Sequence, residues 1–105
     1  MRRALQGILI AGEEMRDATL NGTKKITIRE GHRDYTLGSV LLGCHLLSWA
    51  ATRTITGVRH TTVQEVTEGE CQADGCANWG DLLHVLKQFY PELVATSDVT
   101  IIRWE

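Results

Sequence analysis

The chain has 105 residues, of which 43% are hydrophobic and 23% are charged, and this composition is typical of one folded globular domain. A formal net charge of -2 excludes a protein that coats duplex nucleic acid through bulk positive charge. No apolar run approaches the length of a membrane-spanning helix. We therefore expect a single cytoplasmic domain over residues 1–105, with its three cysteines as free thiols.

The first third of the chain predicts a strand, a helix and a second strand. Residues 5–11 are rich in isoleucine and leucine, which predicts a buried strand. Residues 13–20 predict a helix, because their acidic first turn suits the positive end of the helix dipole and Asn21 and Gly22 are suited to end it. The Ile-Thr-Ile-Arg run that follows is β-branched with period two, which indicates a strand with one apolar face.

The middle of the chain predicts further strands and then a loop. Residues 39–47, after Gly38, form a long apolar segment. Residues 52–66 are rich in threonine and valine and predict one long strand, or two short ones, with a bend at Gly57. Residues 68–77 have neither helical nor strand periodicity, and we expect a loop there.

The last third predicts one helix and a closing strand. Asn78 is a good N-cap, and Tyr90 followed by Pro91 is suited to end the helix. Residues 99–104 predict the final strand. This order of elements predicts an α+β fold, a partly closed β-barrel of about five to six strands with two short helices.

The segment GTKKITIRE, residues 22–30, carries the most specific pattern in the chain. A glycine follows the first helix, a lysine stands two residues further on, and a short strand ends in arginine. This segment resembles the signature of ASCH domains, which belong to the PUA-like superfamily. The apolar strand after Gly38, the Tyr90-Pro91 pair and the apolar terminal strand are also similar to that family, although Ser39 stands where the family often has aspartate.

Among ASCH domains, the chain most resembles small bacterial amidohydrolases that remove the acetyl group from N(4)-acetylcytidine. This resemblance implies an active site made of a lysine, a threonine and a glutamate, without a cofactor. The lysine falls on Lys24 and the threonine on Thr27. The family's glutamate lies before the second helix, where this chain offers Asp74, with Glu70 as the fallback.

The chemistry of amide hydrolysis suits these residue types. A threonine hydroxyl is a weak nucleophile that an adjacent base must activate. A lysine amine is such a base only if burial or a nearby cation lowers its pKa, and a protonated carboxyl group can protonate the leaving nitrogen. We therefore assign Thr27 as nucleophile, Lys24 as base and Asp74 or Glu70 as acid. Strict strand alternation places Thr27 beside Lys25 instead, so this assignment requires Lys24 to lie on the turn before the strand.

The expected substrate-binding residues are Lys25, Arg29 and Trp79, the last by stacking on a base. The two basic residues alternatively form a solvated strand edge, where lysine discourages edge-to-edge pairing. Cys71 and Cys76 lack the second ligand pair of a zinc site, so we expect no metal.

Several functions remain open. The first is an amidohydrolase acting on N(4)-acetylcytidine or a related modified nucleoside. The second is a non-catalytic RNA-binding module, and within the family a ribonuclease is a third. A fourth possible function is to block a host factor, and no feature of the sequence tests it. The expected partner is a modified nucleoside or RNA, with no membrane and a monomeric state.

Overall fold

The computed structural model describes residues 6–10, 13–44 and 49–105, and of Leu9, Glu13 and Cys44 it describes the backbone. The described residues form five strands: β1 Gln6–Leu9, β2 Ile26–Glu30, β3 Gly38–Cys44, β4 Trp49–Thr62 and β5 Asp98–Trp104. Three α-helices accompany them: α1 Glu13–Asn21, α2 Glu68–Ala73 and α3 Trp79–Phe89. A short 3₁₀ turn, Val63–Glu65, connects β4 to α2.

The strands form one sheet in the order β1-β3-β4-β5-β2, so that β1 and β2 are its two edges. β1 is parallel to β3, and the other neighbours are antiparallel. The 14-residue strand β4 pairs with β3 and then with β5, and its register with β5 shifts between Ile55 and Gly57. A bulge of this kind bends a strand, and the sheet curls into a half-barrel.

Two hydrophobic clusters lie on either side of the sheet, and β5 contributes to both. Val99 and Ile101 belong to the cluster under α2 and α3. Ile102 and Trp104 belong to the cluster formed with β1, β3 and β4. This alternation follows from the period of two in a strand and explains why the consecutive residues Ile101 and Ile102 are both buried.

Helix α2 corrects the prediction of a loop over residues 68–77. The hydroxyl of Thr67 accepts a hydrogen bond from the Glu70 backbone N–H, and the Glu70 carboxylate accepts one from the Thr67 N–H, which is a capping box. At the other end, Gly75 has a φ of +94°, and Cys76 N donates to Cys71 O at 2.9 Å. This is a Schellman ending. Because both ends are capped, a helix of only six residues forms.

The other predicted elements form, and one of them is shorter than predicted. Helices α1 and α3 form, and the Asn78 side chain accepts a hydrogen bond from the Asp81 backbone N–H at 2.9 Å. The threonine-rich segment is one long strand that is irregular next to Gly57, but it ends at Thr62, and the 3₁₀ turn takes the place of the strand predicted up to residue 66. Positions 5, 11 and 45–47 of the predicted strands lie outside the described residues. None of the helices that the structure describes is long and apolar enough to cross a membrane.

Candidate functional site

The connection between α1 and β2 carries Lys24 into the interior of the protein. Gly22 adopts a φ of +86° after the helix, and Lys24 N then donates to Ala18 O at 2.9 Å. The next backbone N–H, that of Lys25, donates to Ala73 O at 2.7 Å. These bonds dock the connection against the end of α2. As a result the Lys24 residue is 3% exposed, whereas Lys25 is exposed.

Lys24 forms an ion pair with Asp74, the residue that ends α2. Its Nζ hydrogen-bonds to Asp74 Oδ1 and also donates to the Asp74 backbone oxygen at 3.2 Å. The Asp74 residue is 6% exposed, and its second carboxylate oxygen lies 3.9 Å from Cys76 Sγ. Lys24 Nζ also lies 5.9 Å from the centre of the Trp104 ring. The pair therefore lies in a largely water-free environment.

Burial shifts both members of the pair toward their uncharged forms. Desolvation lowers the pKa of Lys24, although the neighbouring Asp74 acts in the opposite direction. Desolvation likewise raises the pKa of Asp74, although Lys24 opposes this. Burial and the Asp74 charge also raise the pKa of the Cys76 thiol to about 11, so that this thiol stays protonated at neutral pH. These opposite shifts bring the pKa values of the amine and the carboxyl group closer together, which favours proton transfer between them.

The pair opens onto a cavity of about 70 Å³ beside the edge strand β2. Thr27, which is 4% exposed, and the half-buried Arg29 also line it. The remaining described lining is apolar or aromatic: Ile10, Met15, Ile28, Val85, Leu86, Phe89 and Tyr90. Since β2 begins at Ile26, Lys24 precedes the strand, and strand alternation does not separate it from Thr27.

The other residues named from the sequence lie elsewhere. Glu70 accepts hydrogen bonds from Arg59 at 2.6 and 3.1 Å and is not among the described residues that line the cavity. Trp79 donates from its indole nitrogen to Val63 O at 3.0 Å and packs against the core. Lys25 lines a second cavity, whose lining also includes Lys24. The structure thus brings together Lys24, Thr27, Arg29 and Asp74.

Two aromatic residues at this cavity were not predicted from the sequence to bind a ligand. Phe89, the last residue of α3, is 58% exposed. Tyr90 follows it and is half-buried. The Tyr90-Pro91 pair marked the end of the helix, but no local signal indicates that this end lies at the opening of a polar cavity.

Metal-ligating groups are not clustered in the described part of the chain. Within residues 6–10, 13–44 and 49–105, no group of three or more histidine, cysteine or acidic side chains is placed to hold a metal ion. Cys71, in α2, and Cys76, shortly after it, are free thiols buried in the hydrophobic cluster that also contains residues of α3. Burial also raises the pKa of Cys71.

Comparisons with known proteins identify the fold. No protein-family model matches the sequence, and no curated protein matches it. The crystal structure of an ASCH domain from Lactobacillus crispatus JV V101 matches with a TM-score of 0.79 at 13% identity, covering 97% of this chain and 79% of that one. A DUF984 protein from Enterococcus faecalis V583 matches with a TM-score of 0.71 at 13% identity, covering 100% of this chain and 82% of that one. The predicted α+β, PUA-like fold of the ASCH type is therefore confirmed.

Proposed function

We propose that this protein is an amidohydrolase that removes the acetyl group from N(4)-acetylcytidine or a related acylated nucleoside. The observation that supports it best is the buried Lys24–Asp74 pair at a cavity that Thr27 also lines. One cavity therefore holds a hydroxyl nucleophile, an amine and a carboxyl group. If Lys24 served only to protect a strand edge, its side chain would be exposed to solvent. Lys24 and Asp74 are both buried instead, which favours a functional role.

The first half of the reaction acetylates the enzyme. Uncharged Lys24 accepts the proton of the Thr27 hydroxyl as its oxygen attacks the acetyl carbonyl carbon. The C–N bond then breaks, and the carboxyl proton of Asp74 passes to the leaving nitrogen, which becomes the amino group of cytidine. Arg29, at the same cavity, supplies positive charge near the oxyanion. The products of this half are cytidine and an acetyl ester on Thr27.

The second half hydrolyses that ester and restores the pair. Ionised Asp74 now accepts a proton from water, whose oxygen attacks the ester carbonyl. Protonated Lys24 returns its proton to the Thr27 oxygen as acetic acid leaves. Both residues end in the uncharged forms in which they began, and these are the forms that burial favours.

The size of the cavity decides which part of the substrate enters it. About 70 Å³ suits an acetyl amide, whereas pockets for whole drug-sized ligands measure roughly 300–1,000 Å³. The cytosine ring would then lie at the opening, where Phe89 and Tyr90 offer aromatic surface. Stacking on aromatic side chains is a common way in which proteins hold single bases. We therefore move the stacking role expected of Trp79 to Phe89.

The test is an incubation of the purified protein with N(4)-acetylcytidine, with cytidine and acetate measured by chromatography. We expect turnover by the wild type, and in Thr27→Val a loss of roughly 10³-fold or more, because this change removes the nucleophile but keeps the side-chain shape. Thr56→Val, at an exposed threonine of β4, is the matched control and should keep full activity.

Two results would contradict the proposal. One is the absence of cytidine when enzyme and substrate are present in equal amounts. The other is full activity in a folded Thr27→Val variant. In the first case, a steep salt dependence of RNA binding would favour the non-catalytic RNA-binding module.

A further inference from the structure

The second cavity, whose lining also includes Lys24, has a volume of about 470 Å³ and a basic lining. Its other cationic side chains are Lys25, Arg53 and Arg103, and Glu105 contributes the one carboxylate side chain among its described lining residues. The volume falls within the range of small-molecule sites. This cavity is therefore several times larger than the one that holds Thr27 and Asp74.

The strand pairing explains why these cations meet. Trp104 N donates to Lys25 O at 2.9 Å, which brings the start of β2 beside the end of β5. Arg103 is exposed although its neighbours on β5 are buried, and it pairs with Gly57, which has no side chain to cover it. Thr54 and Glu105 exchange two backbone hydrogen bonds of 2.9 and 3.0 Å. These bonds bring the part of β4 that contains Arg53 close to the end of β5.

These cations lack a protein counter-ion among the described residues. No described carboxylate forms an ion pair with Lys25, Arg53 or Arg103. Arg53 instead donates to two backbone oxygens, at 2.9 and 3.4 Å. Like charges gathered in one cavity repel each other, and a bound anion relieves that repulsion. A guanidinium group is also shaped to bind phosphate through two parallel hydrogen bonds.

We propose that this basic cavity binds the phosphate group of a nucleotide. The cavity shares Lys24 with the cavity that Thr27 lines, so the two sites are neighbours. The phosphate is that of a mononucleotide or that of an RNA residue. The identity of the nucleoside part rests on the proposed function; the phosphate site itself does not.

Direct binding tests this inference without depending on turnover. Dissociation constants of cytidine, cytidine 5′-monophosphate and the dinucleotide CpC are measured by calorimetry on the full chain. We expect at least one phosphate-bearing ligand to bind roughly tenfold or more tightly than cytidine, and this gain to fall steeply as salt is added. Tighter binding of the monophosphate indicates a mononucleotide, and tighter binding of CpC indicates an RNA residue.

Matched variants then locate the phosphate. Arg103→Ala should abolish the gain, whereas Arg33→Ala, at an exposed arginine in the loop after β2, should leave it unchanged. Equal binding of all three ligands, no saturable binding of either phosphate-bearing ligand, or a gain that survives in the Lys25→Ala/Arg103→Ala double variant would overturn the inference. Hydrolysis of N(4)-acetylcytidine together with equal binding would reject the phosphate site alone. Phosphate-dependent binding without hydrolysis would reject the amidohydrolase alone.

Discussion

The two ends of α2 each present a carboxylate to a cation that comes from the sheet or from its connections, yet the two ion pairs differ in burial. At the first end, Glu70 bonds to Arg59, and their side chains are 11% and 45% exposed. At the last end, Asp74 bonds to Lys24, and their side chains are 8% and 4% exposed. A carboxylate–cation pair thus occurs twice on one short helix, once with a half-exposed cation and once with a buried one.

Burial separates the behaviour of the two carboxylates. Partial burial raises the pKa of Glu70, but the hydrogen bonds from Arg59 and Thr67 outweigh this effect, and its pKa is lowered. For Asp74 desolvation outweighs the charge and hydrogen bond of Lys24, and its pKa is raised. Glu70 is therefore a fixed anion that holds α2 to β4. Asp74 and Lys24 are a pair that can exchange a proton, which is what the proposed chemistry requires.

The largest effect is expected when the buried pair is broken. Asp74→Ala leaves the buried Lys24 amine without its partner, and we expect the free energy of unfolding in urea to fall by about 3 kcal/mol, where the ranges for unpaired buried polar groups and unpaired buried charges meet. Glu70→Ala, the matched change at the pair with Arg59, should cost about 1–2 kcal/mol, because it removes a cap and an ion pair whose cation is half-exposed. Equal losses would contradict the contrast between the two ends.

A variant that replaces both Lys24 and Asp74 tests whether the buried pair contributes net stability. In Lys24→Met/Asp74→Leu, the desolvation penalty is removed together with the attraction. We expect stability within about 1 kcal/mol of the wild type or above it. A double variant as unstable as Asp74→Ala would show that the pair contributes net stability and that its burial needs no functional explanation.

The next largest effect concerns the aromatic residues. Phe89→Ala should raise KM for N(4)-acetylcytidine roughly tenfold with little change in stability, because it removes the proposed stacking surface from an exposed position. Trp79→Phe should leave KM unchanged and cost about 1 kcal/mol of stability through loss of the hydrogen bond to Val63. The reverse pattern in steady-state kinetics would return the stacking role to Trp79.

The smallest expected effect is a pH dependence of stability that arises from the pair of Glu70 with Arg59. A carboxylate whose pKa is lower in the folded state than in the unfolded chain stabilises the fold above its unfolded pKa and loses that effect as pH falls through its folded pKa. The stability difference between wild type and Glu70→Gln should therefore be constant near neutral pH and shrink below the ordinary pKa of 4.5. Denaturant titrations at several pH values measure it. A difference that grows toward acidic pH would contradict the lowered pKa of Glu70.

The local patterns of the sequence predict most of the fold. The β-branched run of β2, the Asn78 cap and the apolar last strand each depend on neighbours in the sequence, and each element forms. Helix α2 was missed although its signals are present, because Thr67 and Glu70 have capping-box spacing and Gly75 suits a helix ending. In so short a segment, capping residues are better evidence for a helix than periodicity is.

Local sequence patterns do not predict which of the site residues lie together in the fold. Periodicity favours Lys25 beside Thr27, and only the backbone bond from Lys25 to Ala73, far apart in sequence, shows why Lys24 turns inward instead. The sequence also offers both Asp74 and Glu70 as the acid. The choice between them depends on which end of α2 contacts Lys24, and that is a tertiary contact.

The most direct test compares the two carboxylates in one assay. Turnover of N(4)-acetylcytidine is measured for the wild type, Asp74→Asn and Glu70→Gln, with thermal unfolding to show that each variant is folded. We predict that Asp74→Asn loses roughly 10²–10⁴-fold in turnover, because it keeps the shape but not the acid, and that Glu70→Gln stays close to wild type. Full activity in Asp74→Asn, or loss of activity in a folded Glu70→Gln alone, would contradict the assignment of proton transfer to the buried pair.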